Sequence, residues 1–447
     1  MLSSLLVLML APALGAEPTL EAGTQLTYRG SVAQTEQDRT TSDPEKTFDV
    51  TFIVGKSDEA GTQLYWTVEE RGRGAWPWPE RFGSLTATSD RQPAENDPAV
   101  LYDLGDSTSP VHVPLPLMYV PEPLAAGVAW SQEQWNYQVE EAAKLEDRDT
   151  WRVQVSNNYG PQRVVWVEKD SPVIVGVDQK VFMGMGMEYQ LQLRLVNQEK
   201  LDDEALKTAI AGFDALIGLR ASLERPARTE EGEFSPEQLK LLEEGLPAVE
   251  EAVADGPLAK LARSIRRDLS LQSGRANAME KLVAAFEGQA APEFSASGLG
   301  RDKLTHDELK GHVTVLHFWD YRDAPLKEPY GQVGYLDFLH HQRAEAGLQV
   351  YGVAVDERLE EEESRGTVLR GVRKLKEFMN LSYPILLDGG EMIKAFGDPR
   401  TAGADLPLFV VVGPDGQILH YHVGFYEVDR NQGLKELNAV VAEALKR

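Results

Sequence analysis

From about residue 24 to 197, apolar and polar residues alternate with the period of a β-strand. The first two clear runs are joined by the turn-like segment KSDEAG, which predicts a hairpin, and Asn, Asp, Gly and Pro mark the later breaks. The pattern predicts an antiparallel sheet, either a sandwich or a strongly curved open sheet. The runs are TFDVTFIVG, TQLYWTVEER, WSQEQWNYQVEE, TWRVQVSN, RVVWVEKD, PVIVGVDQKVFMG and MEYQLQLRLV.

At Leu201 the period of the apolar residues becomes helical, and it stays helical to about Phe286. One helix start is well defined at Ser235, because Pro236 follows it and Gln238 completes a capping box. The pattern contains no long heptad array, so it favours a helical connector over a coiled coil.

From Gly288 onward, strands alternate with helices. VTVLHFW is typical of a buried strand, and PLFVVVGPDGQILHYHVGF predicts a hairpin that turns at Pro414-Asp415-Gly416 before a last helix. This order predicts an α/β layered domain. We therefore expect a multidomain α+β protein with a signal peptide (1–16), an antiparallel β domain (17–200), a helical connector (201–287) and an α/β domain (288–447).

Several segments of this last domain resemble, in the same order, the thioredoxin fold of the redoxin family. They are GQAAPEFSASG, LKGHVTVLHFW, DLPLF and VVVGPDGQIL. The domain is most similar to the TlpA-like and AhpC/TSA-like envelope proteins of that family. The resemblance implies a thioredoxin-like domain, and it implies a cis bond between Leu406 and Pro407, because DLPLF occupies the place of the family's cis-proline.

The same resemblance locates an active site without its reactive groups. Phe318 and Trp319 keep the places that they have in the family, whereas Asp323 falls on the nucleophilic cysteine and Leu326 on the resolving cysteine. The whole chain contains no cysteine. It therefore cannot form disulfides, thiolate nucleophiles, zinc–thiolate sites or iron–sulfur clusters.

The aspartate at position 323 has two interpretations. The field at a helix N-terminus stabilises a carboxylate as it does a thiolate, so Asp323 is by default an ordinary helix cap. Alternatively, the former active site survives as a docking surface, which grips an extended basic or polar peptide through main-chain hydrogen bonds. The residues of that predicted surface are Trp319, Asp320, Tyr321, Arg322, Asp323, Pro325, Leu326, Leu406 and Pro407.

Histidines are the only other candidates for metal chemistry in the last domain. His420 and His422 share one face of a strand, which suits a metal ion, but the sequence offers no evident third ligand. They are predicted to lie on a solvated polar face, and His317 to be a hydrogen-bonded histidine of the core strand. His340 and His341 diverge on a helix, which is poor geometry for one ion. We predict no metal and no cofactor.

The β domain contains a methionine-rich run, MGMGMEY, at residues 183–189. Methionine adapts to irregular ligands, so this run could line an apolar cavity, although filling the core is its commoner role. The sheet also has a weak likeness to the half-barrels of lipoprotein carriers. A carrier of an apolar ligand is therefore one function that the sequence leaves open.

Charge and the N-terminal residues suggest where the protein acts. A net charge of −26 argues against nucleic acid and anionic membranes as partners. The apolar run from Leu5 to Leu14 is too short to span a bilayer and fits a signal peptide cleaved near Ala16. No later segment reaches transmembrane length. We therefore expect an exported, periplasmic protein.

The interpretation that accounts for these observations is a non-catalytic binding or scaffold protein of the cell envelope. Its partner would be an envelope protein or an extended peptide. The first rival is the carrier of an apolar ligand. The second is a redoxin-type thiol oxidoreductase or peroxidase, which fold analogy suggests and the absence of cysteine opposes.

Overall fold

The computed structural model describes most of the chain, which forms two compact units, Met1–Ser270 and Leu271–Arg447. The described residues are 20–35, 46–88, 94, 96–105, 107–120, 123–253, 256–300, 303–321 and 332–446.

The first unit is built on one antiparallel sheet of ten strands, with a separate two-stranded hairpin. The strands are β1 (Thr24–Gln34), β2 (Lys46–Asp58), β3 (Gly61–Arg71), β4 (Phe82–Ala87), β5 (Ala99–Asp103), β6 (Thr108–His112), β7 (Ala129–Gln132), β8 (Trp135–Leu145), β9 (Arg148–Asn157), β10 (Gly160–Glu168), β11 (Ile174–Met183) and β12 (Met187–Lys200). The order across the sheet is β4-β3-β2-β1-β12-β11-β10-β9-β8-β7, and β5 pairs with β6. The predicted antiparallel β domain is confirmed, as a single sheet.

One face of this sheet carries the core of the unit. In β1, Leu26, Tyr28 and Val32 are fully buried and alternate with more exposed residues, because neighbouring side chains of a strand point to opposite faces. Burying an aliphatic side chain of this size contributes about 1.5–3 kcal/mol. The buried Tyr28 hydroxyl donates to the main-chain carbonyl of Ile174 (2.7 Å). The β5–β6 hairpin and residues 113–118 pack against the same core.

Three helices follow the sheet: α1 (Asp203–Ser222), α2 (Pro236–Ala252) and α3 (Ala259–Phe286). The predicted capping box is confirmed at the start of α2, where Ser235 and Gln238 each accept a hydrogen bond from the other's main-chain N–H. The boundary between the two compact units falls inside α3. The division of the chain into a β domain, a connector and an α/β domain stays a prediction.

The second unit is a mixed sheet of seven strands with helices on both faces. The strands are β13 (Ser295–Gly298), β14 (Lys303–Thr305), β15 (Val313–Trp319), β16 (Leu348–Val355), β17 (Ile385–Asp388), β18 (Leu408–Val412) and β19 (Ile418–Val423), and the helices are α4 (Val333–Arg343), α5 (Glu362–Phe378), α6 (Glu391–Ala395) and α7 (Lys435–Ala444). The strand order is β14-β13-β17-β16-β15-β18-β19. β15, β16 and β17 are parallel, and β18 is antiparallel to β15. The predicted thioredoxin-like fold is confirmed.

Each face of this second sheet has its own core. Helices α4, α5 and α7 cover the face that carries Val315 and Phe409, whereas α6 and the last turns of α3 cover the face that carries Phe318 and Tyr421. Every residue of β15 except Trp319 is buried, as expected for a central parallel strand. The C-terminal end of β15, where the former active site begins, is therefore anchored from both faces.

Among the described residues, no helix is both long enough and apolar enough to cross a membrane.

Candidate functional site

Buried hydrogen bonds link His317 in β15 to Tyr321, which follows the strand, and to Tyr383. His317 Nδ1 lies 2.8 Å from the hydroxyl of Tyr321, and this hydroxyl lies 3.4 Å from the hydroxyl of Tyr383. The Tyr383 hydroxyl in turn donates to the main-chain carbonyl of Val333 (3.5 Å). All three side chains are buried. The prediction that His317 is a hydrogen-bonded core histidine is confirmed.

These tyrosines are neutral at physiological pH. Burial raises the pKa of Tyr321 above the ordinary value for tyrosine, although its hydrogen bond with Tyr383 acts in the opposite direction. Burial also raises the pKa of Tyr383, and the neighbouring Tyr321 raises it further. A phenol that keeps its proton is a weak nucleophile and a weak base. The three buried side chains therefore contribute hydrogen bonds and packing to the core.

The structure separates the residues of the predicted docking surface. Trp319 and Asp320 are half-buried, and the Trp319 ring lies 5.8 Å from the ring of exposed Phe425. Tyr321 is only 1% exposed, so its ring belongs to the core and is not available to a partner. This corrects the expectation that Tyr321 offers an apolar contact at the surface. Arg322, Asp323, Pro325 and Leu326 lie outside the described residues.

The loop before β18 lies opposite the end of β15. The peptide bond between Leu406 and Pro407 is cis, as predicted. The β15–β18 ladder ends at the pair of Phe318 and Leu408, so Asp320 and Leu406 each lie two residues beyond the last pair. Leu406 is half-buried, and its main-chain N–H and C=O form no hydrogen bond with another described residue. The Pro407 carbonyl, in contrast, accepts from the N–H of Gly424 (2.8 Å).

Comparison with known proteins supports the assignment of this region. Residues 287–421 match the model of the AhpC/TSA family. A thiol:disulfide interchange protein of the thioredoxin family from Chlorobium tepidum is 20% identical over 36% of this chain and 97% of its own, with a TM-score of 0.28. A secreted disulfide oxidoreductase from Mycobacterium tuberculosis is 17% identical over 34% of this chain and 96% of its own, with a TM-score of 0.26. No curated protein matches the chain.

The C-terminal region therefore resembles the AhpC/TSA family in sequence, and it contains no cysteine. This resemblance applies to the C-terminal region alone, since the family match runs from residue 287 to residue 421. The β-rich first unit lies outside it.

The structure also shows a third potential metal ligand, which the sequence did not reveal. His420 and His422 on β19 are joined by Glu436 from the first turn of α7, and one potential ligand atom from each lies within 4.8 Å of the others. Both histidines are half-buried and Glu436 is exposed. Glu436 lies fourteen positions after His422 in the sequence, so only the packing of α7 against the sheet brings them together.

The first unit contains a cavity of about 580 Å³ on the core side of its sheet. Its wall combines apolar side chains of the segment after β6 and of β9 to β11 with charged ones, namely Arg163, Lys180, Asp97 and Glu133. The methionine-rich run at residues 183–189 forms the turn between β11 and β12 and is not part of the wall. Met183 and Tyr189 are buried in the core of the unit, so filling the core, the commoner of the two roles, is the one that the structure supports. The side chains lining the cavity include Val113, Leu115, Leu117, Met118, Tyr119, Trp135, Tyr137, Val155, Val165, Ile174 and Phe182.

Proposed function

We propose that the protein is an exported binding protein whose redox-inactive thioredoxin-like domain docks an extended segment of a protein partner. Thiol chemistry needs a sulfur nucleophile, and the chain has no cysteine. The buried tyrosines near the former active site keep their protons and do not replace it. Insulin reduction and peroxide consumption should therefore stay at background in the presence of the protein.

The observation that carries the docking proposal is the main chain of Leu406. This residue lies beyond the last pair of the β15–β18 ladder, and its N–H and C=O have no hydrogen-bond partner among the described residues. An extended peptide that pairs with these two groups would continue the hydrogen bonding of a strand edge, and such pairing does not depend on a thiol. The half-buried rings and side chains around Leu406 would supply apolar contact.

Charge favours a basic segment as the occupant. Asp320 follows β15 directly, and exposed Asp405 directly precedes Leu406. Two carboxylates beside the free main-chain groups would attract Lys or Arg side chains of a docked peptide, in a protein whose net charge is −26.

The test is a binding measurement with short extended peptides selected against the full-length protein. Each amide nitrogen of the tightest peptide is methylated in turn, because methylation removes one main-chain donor and leaves the side chains intact. We expect one or two positions to weaken binding by roughly 2- to 12-fold, the worth of a typical hydrogen bond. Asp405→Asn should weaken binding of a basic peptide in the same assay.

The matched control is Phe378→Ala. Phe378 is an exposed aromatic residue at the end of α5, so the variant removes apolar surface away from the Leu406 loop. It should leave the affinity unchanged. If Leu406→Ala and Asp405→Asn bind the peptides as the wild type does, or if Phe378→Ala weakens binding equally, the docking proposal is wrong.

Export is the second part of the proposal, and it rests on the apolar run from Leu5 to Leu14. N-terminal sequencing of the protein recovered from a periplasmic fraction should begin near residue 17. Recovery of the uncleaved chain from the cytoplasm would contradict export without affecting the docking proposal.

A second candidate function is favoured by the cavity of the first unit. Arg163 lies in its wall, half-buried, with its guanidinium carbon 5.3 Å from the centre of the Trp135 ring. Burial lowers the pKa of Arg163, and no acidic residue of the described chain pairs with it. A cation partly withdrawn from water without an anionic partner is costly. A carboxylate with a hydrocarbon tail would match both the cation and the apolar wall.

Arg194 gives a matched comparison for this carrier function. It also stacks over an indole, at 5.1 Å from the ring of Trp166, but it donates to Asp178 (2.6 Å) and does not line the cavity. Dodecanoate should therefore bind the wild type more tightly than dodecylamine does. Arg163→Gln should weaken dodecanoate binding about 10-fold or more, as for a lost charge-assisted hydrogen bond, and Arg194→Gln should not. Equal binding by all three proteins would exclude this function.

A further inference from the structure

The edge strand of the second sheet carries a cluster of metal-binding side chains that peptide docking does not use. His420 and His422 are two residues apart on β19, so both imidazoles lie on the same face, which is the face that α7 covers. Glu436, the second residue of α7, reaches the same place. The potential ligand atoms of the three side chains lie within 4.8 Å of one another.

We propose that His420, His422 and Glu436 bind a divalent transition-metal ion of the zinc type. Two imidazoles and one carboxylate are ligands that Zn²⁺, Co²⁺ and Ni²⁺ prefer, whereas Mg²⁺ and Ca²⁺ prefer sites made of oxygen atoms. Three protein ligands leave a fourth position of tetrahedral Zn²⁺ open to water or another small ligand.

His422 is oriented as a ligand. Its Nε2 is buried and has no hydrogen-bond partner among the described residues. The imidazole stacks on the ring of Tyr426, with 3.9 Å between the ring centres, and this packing holds it in place. His422 thus offers a fixed ring with one free nitrogen.

One nitrogen of His420 faces a carboxylate, as a nitrogen of a metal-binding histidine commonly does. Its Nδ1 lies 3.4 Å from Glu287 Oε1, and that oxygen is held in place by the N–H of Tyr421 (3.0 Å). The other nitrogen, Nε2, lies 2.9 Å from the hydroxyl of Tyr426. An ion bound at Nε2 would replace this hydrogen bond, so the Tyr426 hydroxyl would remain next to the ion.

Glu436 completes the site from a flexible position. Its carboxylate is exposed and forms no ion pair with a described residue. A carboxylate on an exposed side chain can rotate toward the imidazoles, which shortens the 4.8 Å spread to metal-binding distances of about 2.0–2.2 Å.

A second group of histidines provides a matched control. His340 and His341 are adjacent on α4, their rings are 5.9 Å apart, and Asp337 lies 3.4 Å from His341. One oxygen of Asp337 already accepts two hydrogen bonds from Ser382. Adjacent residues of a helix point in different directions, so this group does not converge on one ion.

The experiment is a titration of the full-length, metal-free protein with Co²⁺, followed by visible absorption, and then displacement of Co²⁺ by Zn²⁺. We expect one bound Co²⁺ per chain and no response to Mg²⁺. His422→Gln and Glu436→Gln should abolish the one-to-one binding, and Glu287→Gln should weaken it about 10- to 100-fold, as other residues that orient metal-binding histidines do. The double variant His340→Gln/His341→Gln should bind Co²⁺ as the wild type does.

Thermal unfolding of each metal-free variant serves to check that it is folded. Glu436 is exposed, so Glu436→Gln tests the site even if His422→Gln does not fold. Zn²⁺ should raise the unfolding temperature of the wild type and not that of Glu436→Gln. The proposal is overturned if no ion binds with one-to-one stoichiometry, if Glu436→Gln binds Co²⁺ unchanged, or if the His340/His341 variant is the one that loses binding.

Discussion

Tyr321 and Gly352 are in direct contact beneath the end of β15. A Cβ atom at Gly352 would lie 2.5 Å from the Tyr321 hydroxyl oxygen and 2.9 Å from its Cζ. Gly352 also pairs with His317 across the parallel strands β15 and β16. The missing side chain at position 352 is therefore what allows the tyrosine that follows β15 to fold back and reach His317.

Gly352→Ala should destabilise the protein by about 1–3 kcal/mol, because the added methyl group overfills a packed core. The strain is steric, since Gly352 is absent from the glycines with positive φ. Urea unfolding measures the change. In a Tyr321→Ala background the same substitution should cost less, since the two closest atoms that it meets have been removed and Tyr383 Cε2, at 3.1 Å, remains.

Gly366→Ala is the matched control for that measurement. A Cβ at this helical position in α5 would meet only a nitrogen of Arg370, at 3.9 Å. The substitution should stabilise the protein by about 0.5–1 kcal/mol through the backbone entropy of glycine. A similar loss of stability in both variants would contradict the contact with Tyr321.

Tyr321→Phe should cost about 1–3 kcal/mol, because it removes the hydroxyl that lies 2.8 Å from His317 Nδ1 inside the core. Tyr383→Phe removes the same group from an equally buried ring. Its hydroxyl makes only long hydrogen bonds of 3.4 and 3.5 Å, so its loss should cost less. Thermal unfolding of the two variants gives the ranking, and the reverse order would contradict the described hydrogen bonds.

The sequence predicted those features that depend on neighbouring residues. Alternation of apolar residues indicated the strands, the Ser235 capping box is a four-residue motif, and the cis bond before Pro407 followed from a short family segment. It did not predict the burial of Tyr321, because Asp320, Tyr321 and Arg322 have the composition of an exposed loop. That burial depends on the space above Gly352, on another strand.

The same limit explains the missed ligands. Glu436 joins His420 and His422 only because α7 packs against the edge of the sheet, and no spacing in the sequence gives the position of a helix on a sheet. In the sequence, Arg163 has the position of an ordinary polar residue in an alternating strand. Its place in a cavity wall follows from the segment after β6, which covers that part of the sheet.

Protonation of His340 should destabilise the folded protein as the pH falls below about 6.5. Burial, together with the neighbouring His341, lowers the pKa of His340 below its ordinary value, although Asp337 acts in the opposite direction. Between the lowered native pKa and the unfolded pKa of about 6.5, the unfolded chain binds more protons, so stability falls as the pH falls. As the pH falls from about 7.5 to about 5.5, the His340→Gln variant should therefore become more stable relative to the wild type. A constant difference between the two proteins across this range would contradict the lowered pKa.

The last prediction concerns a buried ion pair between β2 and β3. Lys46 Nζ lies 2.9 Å from Glu70 Oε2, and both side chains are almost completely buried. Glu70 also accepts from the main-chain N–H groups of Trp76 (3.0 Å) and Leu101 (2.9 Å). Glu70→Gln should destabilise the protein by about 3–5 kcal/mol, because it leaves the ammonium group of Lys46 buried without a counter-charge.

The neighbouring residue supplies the control, since Glu69 pairs with Lys260 at 3.4 Å on the surface, where the two side chains are 38% and 69% exposed. Glu69→Gln should cost no more than about 1 kcal/mol, because solvent screens an exposed pair. Replacing both members of the buried pair, with Lys46→Met and Glu70→Gln, should recover part of the loss, because no charge is then left buried. If the two single glutamine variants unfold at the same urea concentration, the Lys46–Glu70 pair is not buried in solution as described, since only burial distinguishes these adjacent carboxylates.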